Sequence, residues 1–180
     1  MEYPMKSSSS KSTSQWILAY ENMLVHVSSL ISDLRSNHEP RFYERIALAK
    51  QKVAKFQELS EHEAEKIASY VQRDFQDAVH FMQTTNQRFQ DWLAFDWQLI
   101  EIKLFEMCSE VADNSVLEWR QLRQQYPLGI SRYRAGEIVG IGSLCCKACG
   151  QVVKFIKISR IPPCPKCHQS EFQRLNFHSK

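Results

Sequence analysis

The sequence has few glycines and prolines, little net charge and no long apolar run, and each shortage excludes a class of protein. Five glycines and six prolines among 180 residues exclude a collagenous or linker-like chain. No stretch approaches the roughly 18 consecutive apolar residues of a membrane span, so no membrane-spanning helix is expected. A formal charge of +3 is too small by itself to predict a nucleic-acid partner.

Motifs of catalysis are also missing. The sequence contains no nucleophile elbow, no phosphate loop and no HExxH motif. The glycines between Gly136 and Gly142 lack the dinucleotide-binding spacing, and no predicted helix follows them. The acidic residues are scattered along predicted helices, where exposed, solvated positions are expected. The sequence therefore predicts a protein that is not an enzyme.

The composition that remains is that of a globular protein, with 43% hydrophobic and 24% charged residues. A chain of this length can bury a core without disulfides. The segment up to Ser14 has no apolar run typical of a secretory signal. Its serine-rich composition predicts that residues 1–14 form a disordered tail. We expect a cytoplasmic protein, in which clustered cysteines bind metal rather than pair as disulfides.

Apolar residues at alternating steps of four and three predict helices between residues 15 and 130. The first helix should run from about Gln15 to Arg35, and Pro40 suits the first turn of the second. Ser60 and Glu63 form a capping-box signature, which predicts the start of a third helix. The three apolar stripes are Trp16, Tyr20, Met23, Val27, Leu30 and Leu34; Phe42, Ile46, Ala49, Val53 and Phe56; and Ile67, Val71, Phe75, Ala78 and Met82.

A fourth predicted helix, with apolar residues from Trp92 to Val111, is apolar on two faces, which indicates burial between neighbours. A short helix around Trp119 should follow it. The first two helices are expected to form an antiparallel hairpin, and their long apolar stripes would equally permit a homo-oligomer.

Residues 131–180 carry short runs typical of β-strands, at 137–144, 152–158 and 172–177, so the predicted fold class is α+β, a helical bundle followed by a small β ribbon. Cys146 and Cys149 form one CxxC pair, and Cys164 and Cys167 form another after fourteen residues. Two intervening residues let one tight turn present both sulfurs to a single ion. The four cysteines are therefore predicted to bind one Zn2+ ion in a zinc ribbon.

A complete cysteine shell leaves no coordination position for water or substrate, so the predicted role of the zinc is structural. Tetrahedral sulfur ligation also suits iron, and a rubredoxin-like iron site is the alternative. Cys145 is interpreted as a spare thiol beside the site and Cys108 as a small core residue. His168 follows the second pair, but four cysteines already complete the shell.

The segments Leu117–Arg120, Gly136–Gly142 and Phe172–Arg174, together with the two cysteine pairs, resemble the bacterial YbeL-like zinc-ribbon proteins. The resemblance covers the C-terminal third well and the helices more loosely. It implies a helical N-terminal region followed by a four-cysteine ribbon in a cytoplasmic bacterial protein, and it implies no activity. The sequence departs from the family pattern at Cys145, where an apolar residue is expected, and in its serine-rich extension.

Charge is divided unevenly along the chain. Residues 1–130 contain 14 basic and 18 acidic side chains, whereas residues 131–180 contain nine and two. Basic side chains could neutralise phosphates, and Tyr133, Phe155, Phe172 or Phe177 could stack on bases. The plain alternative is a solubilising surface around a small aromatic core. The candidate nucleic-acid contacts are Arg132, Arg134, Lys147, Lys154, Lys157, Arg160, Lys166 and Arg174.

Three functions are consistent with these features. The first is a nucleic-acid- or transcription-associated binding module that uses the ribbon as its contact surface. The second is a protein-interaction adaptor that docks through the helical hairpin, for example onto a protein of a transcription complex. The third is a thiol redox or electron-transfer role, which would involve Cys145 and Cys108.

The ribbon is too short to have much apolar core of its own, so metal binding should be coupled to its folding. Replacing Cys149 or Cys164 by serine is expected to unfold the chain from about Gly136 onward and to leave the helices mostly intact. This expectation assumes that the helical region, residues 15–130, and the ribbon, residues 131–180, have separate cores.

Overall fold

The computed structural model describes residues 12–32, 42–85, 105–109 and 132–175. Three helices, α1 (Thr13–Ser32), α2 (Phe42–Phe56) and α3 (Glu61–Thr85), precede six antiparallel strands, and residues 105–109 are also helical. This arrangement confirms the predicted α+β class. The rest of the predicted fourth helix, the short helix around Trp119 and most of the serine-rich tail lie outside the described residues. Within those residues, no helix is long and apolar enough to cross a membrane.

The predicted apolar stripes of the three helices lie in one core as far as their side chains are described, with Trp16 half-buried against it. The side chains of Leu30, Leu34, Phe42 and Phe56 lie outside the described part of the structure. Tyr20, Met23 and Val27 of α1 are buried, and so are all five stripe residues of α3. Together with residues of α2, they form one apolar cluster. Each large side chain removed from water contributes about 1.5–3 kcal/mol, so this cluster supplies much of the stability of the helical region.

The start of α3 is fixed by the predicted capping box. The backbone N–H of Ser60 donates to Glu63 Oε2 at 2.9 Å, and the backbone N–H of Glu63 donates to Ser60 Oγ at 3.3 Å. These bonds satisfy two donors that have no partner within the helix. The chain therefore breaks between α2 and α3, as the sequence predicted.

The ribbon contains a four-stranded sheet and a separate strand pair. The strands are β1 (Tyr133–Arg134), β2 (Ile138–Val139), β3 (Gly142–Cys146), β4 (Val152–Phe155), β5 (Ser159–Arg160) and β6 (Glu171–Arg174). The sheet has the order β1-β6-β3-β4, and β2 pairs with β5, all antiparallel. The predicted run 137–144 is divided at Gly140 and Ile141, because β2 belongs to the strand pair and β3 to the sheet.

The ribbon contributes side chains to two different apolar clusters. One is its own, built around Tyr133, Leu144 and Phe172 and extended by Cys146 and Cys164. The other is the helical core, which also includes Ile138, Ile141 and Ile158 of the ribbon. The expectation of separate cores is therefore revised: unfolding the ribbon would expose part of the apolar surface that the helices bury.

At Gly140 the ribbon backbone comes within hydrogen-bond distance of a side chain of α3. A Cβ atom at this position would lie 2.7 Å from the Tyr20 hydroxyl oxygen and 3.3 Å from Asp74 Oδ2. The Gly140 N–H donates to Asp74 Oδ2 at 2.7 Å, and the Tyr20 hydroxyl donates to the same oxygen at 2.9 Å. The glycine is needed because the backbone itself must reach the carboxylate.

We predict that Gly140→Ala lowers the free energy of unfolding by about 2–3 kcal/mol, because the added methyl group displaces the Tyr20 hydroxyl from a buried carboxylate. Tyr20→Phe should also destabilise the protein, but it removes the atom with which the methyl group collides. The double variant should therefore lose less stability than the sum of the two single variants, as measured by urea unfolding of metal-loaded protein. Strict additivity would contradict the close contact.

Candidate metal centre

The first CxxC pair lies in a tight turn that follows β3. The backbone N–H of Gly150 donates to the Cys146 carbonyl at 2.9 Å, and the Cys146 N–H donates to the Gln151 carbonyl at 2.9 Å. Gly150 has a φ of 72°, in the left-handed region that glycine adopts without strain. The turn brings the Cys149 sulfur back beside that of Cys146.

The second CxxC pair repeats this turn, with a histidine in the glycine position. The His168 N–H donates to the Cys164 carbonyl at 2.9 Å, and the Cys164 N–H donates to the Gln169 carbonyl at 2.9 Å. The φ of His168 is 58°, and its side chain is exposed. His168 is thus a turn residue. His168 directly follows Cys167, just as Gly150 directly follows Cys149. This equivalent position in the two pairs is the sequence signal for a turn residue.

The two turns bring the four predicted cysteines together. Their Sγ atoms all lie within 4.8 Å of one another. The Cys146 and Cys167 sulfurs are 3.6 Å apart, and those of Cys149 and Cys164 are 3.5 Å apart. A tetrahedral ion with Zn–S bonds of about 2.3 Å requires edges of about 3.8 Å, whereas a disulfide requires about 2.05 Å. The sulfur cluster therefore fits a tetrahedral metal ion rather than two disulfides.

The electrostatics of the cluster also favour a cation. Burial raises the pKa of Cys164, but hydrogen bonds from the backbone N–H groups of Cys167 and Lys166 outweigh it and lower this pKa to about 6. A backbone bond from Gln169 lowers the pKa of Cys167, yet contacts with the other three sulfurs raise it to about 12. All four groups can be thiolates together only when a cation offsets their mutual repulsion.

The two remaining cysteines lie away from this cluster. Cys145 is paired with Gln173 and Val152 across the sheet, and strand alternation points its side chain to the face opposite that of Cys146. Burial raises the pKa of its thiol. Cys108 is buried in the helical core, where burial and the nearby Asp74 carboxylate raise its pKa. Cys108 is therefore a core residue, as the sequence predicted.

The predicted basic contacts fall into two groups. The side chains of Arg132, Lys147, Lys154, Lys157 and Lys166 are exposed. The other three, Arg134, Arg160 and Arg174, already bind groups of the protein itself. Arg134 pairs with Glu171 at 3.7 Å, and Arg160 binds the Gly136 carbonyl and the Thr13 hydroxyl.

Arg174 is misassigned as a nucleic-acid contact, because its side chain is buried. Its Nη2 atom lies 3.5 Å from Asp74 Oδ1, and its Nε donates to the Tyr133 hydroxyl at 3.1 Å. The stacking prediction is wrong for Tyr133, Phe155 and Phe172, which are buried in the ribbon core. Phe177 lies outside the described residues.

The sequence interpretation missed the buried carboxylate of Asp74, which is only 4% exposed. Its Oδ2 accepts from Tyr20 and Gly140, while its Oδ1 lies 3.2 Å from Arg73 Nε and near Arg174. The expectation that acidic residues lie at solvated positions is therefore wrong here. A signal was present, since residue 74 lies three positions after Val71 on the apolar stripe of α3.

Arg73 and Tyr133 extend this contact between helix and ribbon. The Arg73 guanidinium donates to the Ile138 carbonyl at 3.0 Å and pairs with Glu137. Its Cζ lies 4.0 Å from the centre of the Tyr133 ring, and the Tyr133 hydroxyl donates to Asp77 Oδ2 at 2.6 Å. Burial alone would lower the pKa of Arg73, but the adjacent Asp74 carboxylate, with Tyr133 and Glu137, outweighs it and raises this pKa overall. The metal-bearing ribbon is thus attached to α3 by buried charged groups.

Comparison with known proteins places the chain in a family. The model of the family described as "Zinc-ribbon containing domain" matches residues 30–176. The proteins named "Uncharacterized protein YbeL" from three Escherichia coli strains are 28% identical over 152 residues, which cover 84% of this chain and 92% of each relative. No solved structure gives a significant match. The chain therefore belongs to the zinc-ribbon family, and the predicted resemblance is confirmed.

We predict that protein purified without added metal contains one equivalent of zinc. Cys146→Ser should abolish stoichiometric metal binding, because three sulfurs cannot complete the shell. Cys145→Ser, one residue away on the opposite face of β3, should retain it. Elemental analysis measures both. One equivalent of iron with a visible chromophore, or equal metal loss in the two variants, would contradict the assignment.

Proposed function

We propose that this family member is a non-catalytic zinc-binding module whose ribbon contacts nucleic acid through the phosphate backbone. The supporting observation is that the uncompensated charge of the ribbon has one sign. Its two acidic residues, Glu137 and Glu171, are engaged by Arg73 and Arg134. Within the described parts of the chain, no carboxylate pairs with the five exposed basic side chains, Arg132, Lys147, Lys154, Lys157 and Lys166.

The metal changes the charge of this surface unevenly. Four thiolates and a dication carry a net charge of about −2, which partly offsets Lys147 and Lys166 within the two cysteine turns. Lys154 lies on β4, opposite Ser143, and Lys157 lies in the loop that follows. These two lysines are therefore the strongest candidates for phosphate contacts.

The buried aromatic residues restrict the mode of contact that we propose. Tyr133, Phe155 and Phe172 form the ribbon core and cannot stack on bases without unfolding it. Phosphate contacts fix the position of a protein on nucleic acid but carry no sequence information. The proposed binding is therefore independent of sequence and strongly dependent on salt.

The proposal is tested by fluorescence anisotropy with single- and double-stranded DNA and RNA. We expect binding at about 50 mM salt to weaken by at least tenfold at about 200 mM. Lys154→Glu combined with Lys157→Glu should weaken it by at least tenfold at low salt. The matched control is Lys52→Glu with Lys55→Glu, which makes the same charge change at exposed positions of α2.

Undetectable binding to every nucleic acid at low salt would contradict the proposal. Equal losses in the two double variants would also contradict it, because the effect would then follow net charge rather than the ribbon surface. Circular dichroism and metal content of each variant verify that the fold is intact.

A protein-interaction adaptor is the second candidate function. It is favoured by two apolar side chains on α1, Leu18 and Val25, which are 51% and 45% exposed. They are seven residues apart and so lie on the same side of the helix. Leu18→Glu combined with Val25→Glu should abolish recovery of a specific protein from a lysate if this function is correct, and should leave nucleic-acid binding unchanged.

A further inference from the structure

A cavity of about 200 Å³ lies where the start of α1 meets α3 and the β2–β5 pair. Thr13 and Trp16 line it from α1, and Lys66 and Tyr70 line it from α3. The ribbon contributes Gly136, Ile138 and Arg160. None of the four metal-binding cysteines is among these residues, so the cavity is separate from the metal centre.

The charged groups that line the cavity are both positive. Lys66 and Arg160 form no ion pair within the residues that the structure describes, and no carboxylate lines the cavity. Glu137 is close to Gly136 in sequence, but its carboxylate is bound by Arg73 and by the backbone N–H of Arg134. Among the described residues, the cavity therefore presents two cationic groups without a neutralising carboxylate.

Arg160 is held in a fixed position at this cavity. Its Nε donates to the Gly136 carbonyl at 2.8 Å, and its Nη1 donates to the Thr13 hydroxyl at 3.2 Å. No hydrogen bond involves its Nη2 among the described residues, so this group is able to donate to a ligand. Because the guanidinium is already oriented, little conformational entropy would be lost on binding an anion.

The start of α1 adds a second source of positive potential. Thr13 is the first residue of this 20-residue helix, whose first turn contains no acidic side chain. The partial positive charge of the helix N-terminus is therefore not offset by a carboxylate there. It reinforces the two cationic side chains at the same cavity.

The walls of the cavity suit a small flat group. Trp16 and Tyr70 contribute aromatic side chains, and Ile138 contributes an apolar one. A volume of about 200 Å³ is below the roughly 300 Å³ at which pockets for drug-sized ligands begin. We propose that this cavity binds a small organic phosphate, with the phosphate between Lys66 and Arg160 and a flat apolar part against Trp16 and Tyr70.

The probe for this site is phenyl phosphate, titrated calorimetrically into the full, zinc-loaded chain. We expect saturable binding that is tighter than that of inorganic phosphate, and no binding of phenol, which lacks the charge. Lys66→Gln and Arg160→Gln should each weaken phenyl phosphate binding by about tenfold, because each removes a charge-assisted hydrogen bond. The control Lys52→Gln, at an exposed position of α2, should bind as the unchanged protein does.

Three results would overturn the proposal: no saturable binding of phenyl phosphate, unchanged affinity in both Lys66→Gln and Arg160→Gln, or an equal loss in Lys52→Gln. The exposed side chain of Lys66 makes no hydrogen bond or ion pair among the described residues, so Lys66→Gln should fold even if Arg160→Gln does not. The Lys154→Glu, Lys157→Glu variant separates this site from the ribbon surface. It should retain phenyl phosphate binding, whereas loss of binding there would assign the phosphate to the ribbon surface.

Discussion

The contact between the helices and the ribbon depends on the carboxylate of Asp74. A buried charge is stable only when it is fully paired and hydrogen-bonded, and its partners here come from three parts of the chain. Tyr20 belongs to α1, Arg73 to α3, and Gly140 and Arg174 to the ribbon. If the ribbon moved away, the carboxylate would lose the Gly140 and Arg174 contacts while still enclosed by apolar side chains. This penalty, together with the apolar residues shared by the two regions, holds the ribbon on the helices.

The metal centre and the Asp74 contacts are linked through the sheet. Cys146 ends β3 and is paired with Phe172 of β6, and Arg174, two residues further along β6, reaches Asp74. A metal ion bound to Cys146 would hold the end of β3, and the pairing of β3 with β6 connects this end to the strand that carries Arg174. The cavity at Arg160, which is lined by residues of α1, α3 and the ribbon, depends on the same contact between the ribbon and the helices.

Local patterns were enough to predict the helices, the capping box and the four cysteine ligands, because each depends on residues near in sequence. The apolar period of α3 places Ile67 through Met82 on one face, and two CxxC turns bring sulfurs together whatever surrounds them. The roles of Asp74, Gly140 and Arg174 could not be assigned in this way, since Gly140 lies 66 residues and Arg174 lies 100 residues from Asp74 along the chain. Charge counting also treated Arg174 as a surface residue, because composition does not reveal which cation faces a buried carboxylate.

Hydrogen–deuterium exchange of the full chain, measured with zinc bound and after its removal by a chelator, tests the shared core most directly. We expect protection to be lost in the ribbon and also in the α1 and α3 segments around Tyr20 and Asp74, because their buried partners leave with the ribbon. Full protection of these helical segments in the metal-free protein, with exchange confined to residues 132–175, would contradict it.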